Sequence, residues 1–114
     1  MVDYNTRLVT ALKKVLPTHY ELSLTGKEKT PCITYIERNN YDYMSGDTVG
    51  YSKISYTVKV WGTDIAELNK YMLMIDVVLR PIGFARTSAQ PLGDRNSTMI
   101  QQIMTYEALA YEEF

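Results

Sequence analysis

The sequence predicts an α+β domain with a mixed, mostly antiparallel sheet of about four to five strands and two helices packed on one side. Two observations predict this class: apolar residues recur at helical spacing in two segments, and they alternate with polar residues in several others. The expected order is helix, two or three strands, helix, two strands. With 114 residues, 46% of them apolar, the chain has the size of one domain over residues 1–114.

The first predicted helix covers residues 5–16, with Asn5 as its N-cap and Pro17 as its stop. Its apolar residues recur at i, i+4, i+7 and i+8 and share one face: Leu8, Leu12, Val15 and Leu16. A short strand is expected at 31–38, where β-branched and aromatic residues are frequent. The segment 20–24 is left open between strand and irregular structure.

The segment 51–79 predicts a strand at 52–61 that runs into a helix. One strand face should be core and the other, with Lys53 and Lys59, should face water. The core face would hold Ile54, Tyr56, Val58 and Val60. Before this strand, the sequence SGDTVG at 45–50 suits a hairpin or an extended loop.

Asp64 and Glu67 have the spacing of an N-cap and its N3 partner, so the second helix should start at Asp64 and end at Pro81. Its core-facing stripe is predicted to be Ile65, Leu68, Met72, Ile75 and Leu79.

Two more strands are expected, one at 84–92 and one near 98–113. Pro91 indicates that the first of these lies at a sheet edge. The last strand has one apolar face and a second face interrupted by apolar residues, which predicts partial cover on both sides. A helix over 99–111 is the main alternative. The apolar face would contain Ile100, Met104, Tyr106, Ala108 and Ala110.

No catalytic or metal-binding pattern is visible, so we expect no enzyme activity and no cofactor. His19, the single histidine, has no motif that supplies an orienting partner, and the single cysteine, Cys32, lies in an apolar run. Twelve basic and thirteen acidic residues give a net charge of −1, which argues against a dedicated nucleic-acid groove. No apolar run has the length of a membrane span, and no membrane partner is expected.

Five tyrosines are crowded into residues 35–56, near Arg38 and Lys53: Tyr35, Tyr41, Tyr43, Tyr51 and Tyr56. Three interpretations stay open. Tyrosines pack in cores and hairpins, and they are enriched at protein interfaces because each has a rigid apolar body with a polar tip. Alternatively, a small nucleic-acid-binding module could stack bases on a tyrosine-rich sheet and loop, although acidic residues interrupt the cluster.

Three features follow one another along the chain. Pro31, Ile33 and Tyr35 start one strand; a second strand ends in an aromatic residue before a polar helix start, Val58 to Asp64; and a late strand carries aromatic and acidic residues. This order resembles the tail-completion or tail-terminator proteins of long-tailed bacteriophages, including related head-to-tail joining proteins. The resemblance spans nearly the whole chain.

This resemblance implies a structural protein of the virion tail, made in the host cytoplasm, that forms a homo-oligomeric ring, expected to be a hexamer. The ring would lie at the head-proximal end of the tail tube, with the tail-tube protein and a head-completion or connector protein as partners. DNA would pass through its lumen without specific binding. Termination and head-to-tail joining are both open. Ring contacts are expected at 39–50 and at the edge near 84–92, with these candidates: Asn39, Asn40, Tyr41, Tyr43, Met44, Tyr51, Arg86 and Gln90.

Overall fold

The computed structural model describes residues 4–25, 28–45, 48–93 and 98–111, with side chains except at 39–45, 48–52, 110 and 111. The described elements follow the chain in this order: α1 (Tyr4–Lys13), β1 (Thr18–Tyr20), β2 (Cys32–Ser45), β3 (Thr48–Gly62), α2 (Ile65–Leu79), β4 (Ala85–Gly93) and β5 (Ile100–Tyr111). Short 3₁₀ turns, Glu21–Ser23 and Arg80–Ile82, follow β1 and α2.

The five strands form one sheet in the order β1-β2-β3-β5-β4. The β1–β2 pair is parallel, and the other three pairs are antiparallel. Both helices cover the same sheet face, since Leu8 and Leu12 of α1 and Leu68 and Ile75 of α2 belong to one buried cluster with Val58 of β3. The predicted α+β class, with a mixed sheet and two helices on one side, is confirmed.

Helix α1 differs from the prediction at its ends. It begins by Tyr4 and ends at Lys13, so Asn5 lies inside the helix instead of capping it. The Asn5 carboxamide oxygen instead accepts a hydrogen bond from the Tyr56 hydroxyl at 3.2 Å. Leu8 and Leu12 are buried as expected, which shows that the helical phase was predicted correctly.

Helix α2 starts as predicted, because the Asp64 side chain accepts a hydrogen bond from the Ala66 amide at 3.0 Å. The Glu67 carboxylate binds the Tyr71 hydroxyl, so its contact lies further along the helix than the expected capping box. Ile65 was predicted to be in the core stripe and is 39% exposed, since α2 reaches the sheet only from Leu68 onward.

Strand β3 and α2 approach closely at Gly62, where any side chain would force Leu68 to shift. A Cβ atom on Gly62 would lie 2.8 Å from Leu68 Cδ2, which is shorter than a carbon–carbon contact allows. After α2, the chain turns at Gly83, whose φ of 96° lies in the left-handed region. The helix itself ends at Leu79, two residues before Pro81.

The helix-free face of β3 was predicted to face water, and this was only partly right. Ser55 is buried, and Lys53 and Lys59 are half-buried. Lys59 forms an ion pair with Glu21, and Lys53 forms one with Glu107 at 3.4 Å. The 3₁₀ turn after β1 and strand β5 thus place charged partners over this face, which a single-strand pattern does not reveal.

Strand β4 lies at the sheet edge, and its side chains are mostly exposed. Pro91 fits at this edge because proline has no backbone N–H, and an inner strand needs its N–H groups for the ladders on both of its sides. Residues 100–111 form strand β5, so the alternative of a helix was wrong. Gln102, Met104 and Tyr106 are buried on the helix-covered face of β5, and Thr105 is buried on the opposite face, which confirms that both faces of β5 are partly covered.

The β2–β3 hairpin is longer than the predicted strands at 31–38 and 52–61. Its strands pair from Cys32 with Trp61 out to Ser45 with Thr48. The molecule measures 53 × 24 × 23 Å, and its radius of gyration is 15.4 Å. A compact chain of this length would have a radius of gyration of about 13 Å. The described structure is therefore elongated.

Candidate assembly interface

The outer half of the β2–β3 hairpin, residues 39–52, is called the hairpin arm below. On the β3 side, Ile54 is the first buried core residue among those whose side chains are described, and the arm is defined as the part of the hairpin beyond it. Beyond Tyr51, β5 supplies no further partner among the described residues, and the two arm strands pair with each other alone. At about 3.3 Å per residue, the arm extends the sheet by about 20 Å.

Six of the predicted interface residues belong to this arm: Asn39, Asn40, Tyr41, Tyr43, Met44 and Tyr51. Their backbones form the hairpin, in which Tyr43 is opposite Tyr51 and Asn40 is opposite Ile54. Their side chains lie outside the described part of the structure. The arm sequence contains Asp42 and Asp47 and has no lysine or arginine.

The other two predicted interface residues, Arg86 and Gln90, lie on β4, which is separated from the arm strands by β5. Gln90 is exposed and is paired in register with Ile103 of β5. Arg86 forms an ion pair with the buried carboxylate of Asp76, with 3.2 Å between Nε and Oδ1. Its guanidinium therefore holds a contact inside the subunit.

Asp76 is the centre of a polar cluster that joins α2, β4 and β5. Its Oδ1 atom accepts a hydrogen bond from the buried Tyr106 hydroxyl and also forms the ion pair with Arg86. Burial raises the pKa of Tyr106 well above its ordinary value, and the hydrogen bond to Asp76 raises it further. The cluster is a satisfied structural element, because the buried carboxylate has both a cation and a hydroxyl donor.

Both sheet edges have unpaired stretches in the described structure. Strand β1 covers only Ile33–Tyr35 of β2, which leaves the outer edge of β2 from 36 to 45 without a described strand partner. The outer edge of β4 has none either. Bulges interrupt β2 between Glu37 and Asn39 and β4 between Arg86 and Ser88. Unpaired edges of this length are potential sites of strand pairing with another chain.

An exposed apolar surface lies on the outward side of α2, and the sequence analysis missed it. Leu73, Met74 and Val77 are 58%, 41% and 66% exposed, and they line a shallow groove with Lys14 and Lys70. These five residues are called the outer-helix patch. The signal was present in the sequence, since α2 carries large apolar residues outside its predicted core stripe.

The tyrosine cluster is divided between the core and the arm. Tyr56 is buried, with its ring 5.8 Å from that of Phe84, and Tyr35 packs on the core and lies 5.5 Å from Tyr20 between ring centroids. These tyrosines are scaffold residues. The interpretations as interface or nucleic-acid surface now concern Tyr41, Tyr43 and Tyr51.

Basic residues on the helix-free face already have partners within the subunit. Arg38 donates to the Thr105 hydroxyl at 3.4 Å, Lys53 pairs with Glu107, and Lys59 pairs with Glu21. A face that binds phosphates needs cations that are available to them. The pairing therefore does not favour this face as a nucleic-acid surface.

The single histidine and the single cysteine lie on neighbouring strands, β1 and β2. His19 lies on β1, half-buried, in register with Thr34. Cys32 is buried, and burial together with the charge of Glu28 raises the pKa of its thiol. A thiol held in its protonated form is a poor nucleophile. Among residues whose positions are described, no group of three or more His, Cys, Asp or Glu side chains could hold a metal ion.

Neither described helix is long and apolar enough to cross a membrane. In comparisons with known proteins, the sequence matches no family model and no curated protein. The resemblance to phage tail proteins therefore stays a prediction from the sequence.

Proposed function

We propose that this protein is a structural virion subunit, without enzymatic activity, that assembles as a ring at the head-proximal end of a phage tail. The ring would end growth of the tail tube, join the tail to the head, or do both. The observation that carries the proposal is the hairpin arm, which continues two central strands beyond the helix-covered body. Its partners would be other copies of the chain, the tail-tube protein and a head-completion or connector protein.

The arm supports assembly for a physical reason. Beyond Tyr51 the arm is a two-stranded ribbon, and such a ribbon can bury little of its own apolar surface, because isolated hairpins are marginally stable in water. Contact with a neighbouring subunit would bury the arm's aromatic residues. Cyclic rings use heterologous interfaces, in which two different patches of one subunit meet, and an arm at one end of an elongated subunit suits such a contact.

The charge distribution supports a lumen that DNA can pass. The chain has a net charge of −1, and Lys53 and Lys59 on the helix-free face form ion pairs with Glu107 and Glu21. Strong binding to DNA requires several unmatched cations, because affinity comes mainly from neutralising phosphates. A ring of such subunits would let DNA pass without specific binding.

Electron microscopy of particles made by a phage that lacks this chain tests the proposal. Overlong tails would indicate termination, and normal tails detached from filled heads would indicate joining. Supplying the wild-type chain in trans should restore normal particles. Infectious particles with normal attached tails in its absence would contradict the proposal.

The alternative, a small nucleic-acid-binding module, has a separate test. Its affinity for single-stranded oligonucleotides would fall steeply as salt rises, since counterions compete for phosphates. Tight, salt-dependent binding by the monomer, lost on replacing Tyr41 and Tyr43 by serine, would favour the module over the ring.

A further inference from the structure

The outer-helix patch has the composition of a covered surface. Leu73, Met74 and Val77 lie within two turns of α2, and all three are large, apolar and exposed. Exposed apolar residues are ordinary when they are scattered, but a contiguous group that lines one groove indicates an interaction site. Lys14, just after α1, and Lys70 of α2 also line the groove and form its described rim.

The rim of this patch is basic and unmatched. Neither Lys14 nor Lys70 forms an ion pair with any residue that the structure describes, whereas Lys53, Lys59 and Arg86 each do. No acidic residue is among the described residues that line the groove. A partner that fits the patch therefore has to supply both apolar surface and negative charge.

The hairpin arm has that composition. It carries Tyr41, Tyr43 and Met44 beside Asp42 and Asp47, and it has no basic residue. Its length of about 20 Å matches the 23–24 Å width of the subunit, so an arm from one copy can reach across the body of another. It cannot serve its own patch in this fold, because its strands continue β2 and β3 past the end of the core.

We infer that, in the assembled ring, the hairpin arm of one subunit binds the outer-helix patch of the next. The inference rests on the proposed ring and identifies its subunit contact. The tyrosines and methionine of the arm cover Leu73, Met74 and Val77, while its aspartates lie near Lys14 and Lys70. Each subunit gives an arm to one neighbour and a patch to the other, which is the head-to-tail arrangement that closes a ring.

Charge reversal on each side, alone and combined, tests this contact. Lys14→Glu with Lys70→Glu should weaken ring assembly on tail tubes on the order of tenfold at low salt, because like charges then meet across the contact. Asp42→Lys with Asp47→Lys should weaken assembly by a similar factor. Combining all four changes restores opposite charges and should recover most of the loss. Lys13→Glu and Lys29→Glu, at exposed lysines outside the groove, serve as matched controls.

An apolar change gives a second measurement that does not depend on charge. Val77→Asp should keep the melting temperature near that of the wild type, because the side chain is 66% exposed, and should abolish assembly. Assembly is read as oligomer mass by native mass spectrometry and as capped tubes by electron microscopy.

The outcomes separate the inference from the proposed function. If the wild type caps tubes, and the lysine reversals and Val77→Asp cap equally well, the ring stands and the arm–patch contact is wrong. If the wild type remains monomeric with tubes present, the proposed ring and the arm–patch contact are both wrong. If lysine reversal abolishes binding to DNA or to anionic vesicles while assembly is unchanged, the patch belongs to that ligand and the inference is overturned. The inference is supported if the lysine pair and the aspartate pair each lose assembly and the variant with all four changes recovers it.

Discussion

Removing one hydroxyl group tests whether the Asp76 cluster holds α2 to the sheet. In Tyr106→Phe the ring remains to fill the core, but the buried Asp76 carboxylate loses its hydroxyl donor. Hydrogen bonds to charged groups contribute about 1.5–3 kcal/mol to stability. For a domain of this size, 1 kcal/mol corresponds to about 4 °C, so the melting temperature should fall by about 6–12 °C.

The assay is thermal unfolding by circular dichroism near pH 7. Tyr71→Phe is the matched control, since the same atom is removed from a hydroxyl that binds Glu67 at the exposed surface of α2. Its melting temperature should hardly change. In a double-mutant cycle with Asp76→Asn, the two substitutions should be coupled by about 1 kcal/mol or more.

A pH series gives an independent check on Tyr106. Burial and the bond to Asp76 raise the pKa of Tyr106, so the folded state keeps its proton at a pH where the unfolded chain loses it. Above about pH 10 the folded state therefore binds more protons than the unfolded state. The stability that this group contributes is complete below that pH and is lost as pH rises. Wild type should lose stability more steeply than Tyr106→Phe between about pH 9 and 11.

Two results would refute this reasoning. A fall in melting temperature no larger than that of Tyr71→Phe would show that the Asp76 carboxylate needs only Arg86. Parallel pH profiles for wild type and Tyr106→Phe would show that Tyr106 ionises as easily in the folded protein as in the unfolded chain.

Three further predictions concern the scaffold. Val58→Asp should prevent folding because it buries an unpaired charge, whereas Lys59→Met should fold; similar melting temperatures would show that the strand phase is wrong. Gly62→Ala should cost about 1–3 kcal/mol in a denaturant titration, since its Cβ would overlap Leu68, and an unchanged midpoint would mean that α2 can shift freely. Cys32→Ser should leave tube capping intact wherever the variant folds, and a folded variant that cannot cap would point to a role for the thiol.

The local scaffold was predictable because its signals lie within short windows. The alternation from Ile54 to Val60 and the cap at Asp64 each depend on neighbours in sequence, and the structure contains both. The end of the buried stripe was less certain: Ile65 has the right spacing, but where a helix first meets a sheet depends on a residue such as Gly62.

The candidate site was less accessible from sequence. The cluster of Asp76, Arg86 and Tyr106 joins three elements, and no spacing rule connects positions so far apart in the chain. Arg86 therefore looked like a free edge residue. The outer-helix patch was missed for a different reason: Leu73 and Val77 fit an apolar helix whether they face the core or water, and only the position of the sheet separates the two cases.

The central claim, a ring whose contacts use the hairpin arm, is tested most directly by the double variant Tyr41→Ser with Tyr43→Ser. Its melting temperature and its assembly on tail tubes are measured beside those of the wild type. Losing an interface aromatic commonly costs about 2 kcal/mol or more, and a ring repeats that loss at every joint. We predict a closed wild-type ring of about 79 kDa, six copies of the 13.1 kDa chain, and a variant that melts normally but neither forms the ring nor caps tubes. A variant that melts normally and still caps tubes, or a wild type that remains monomeric beside them, would contradict the claim.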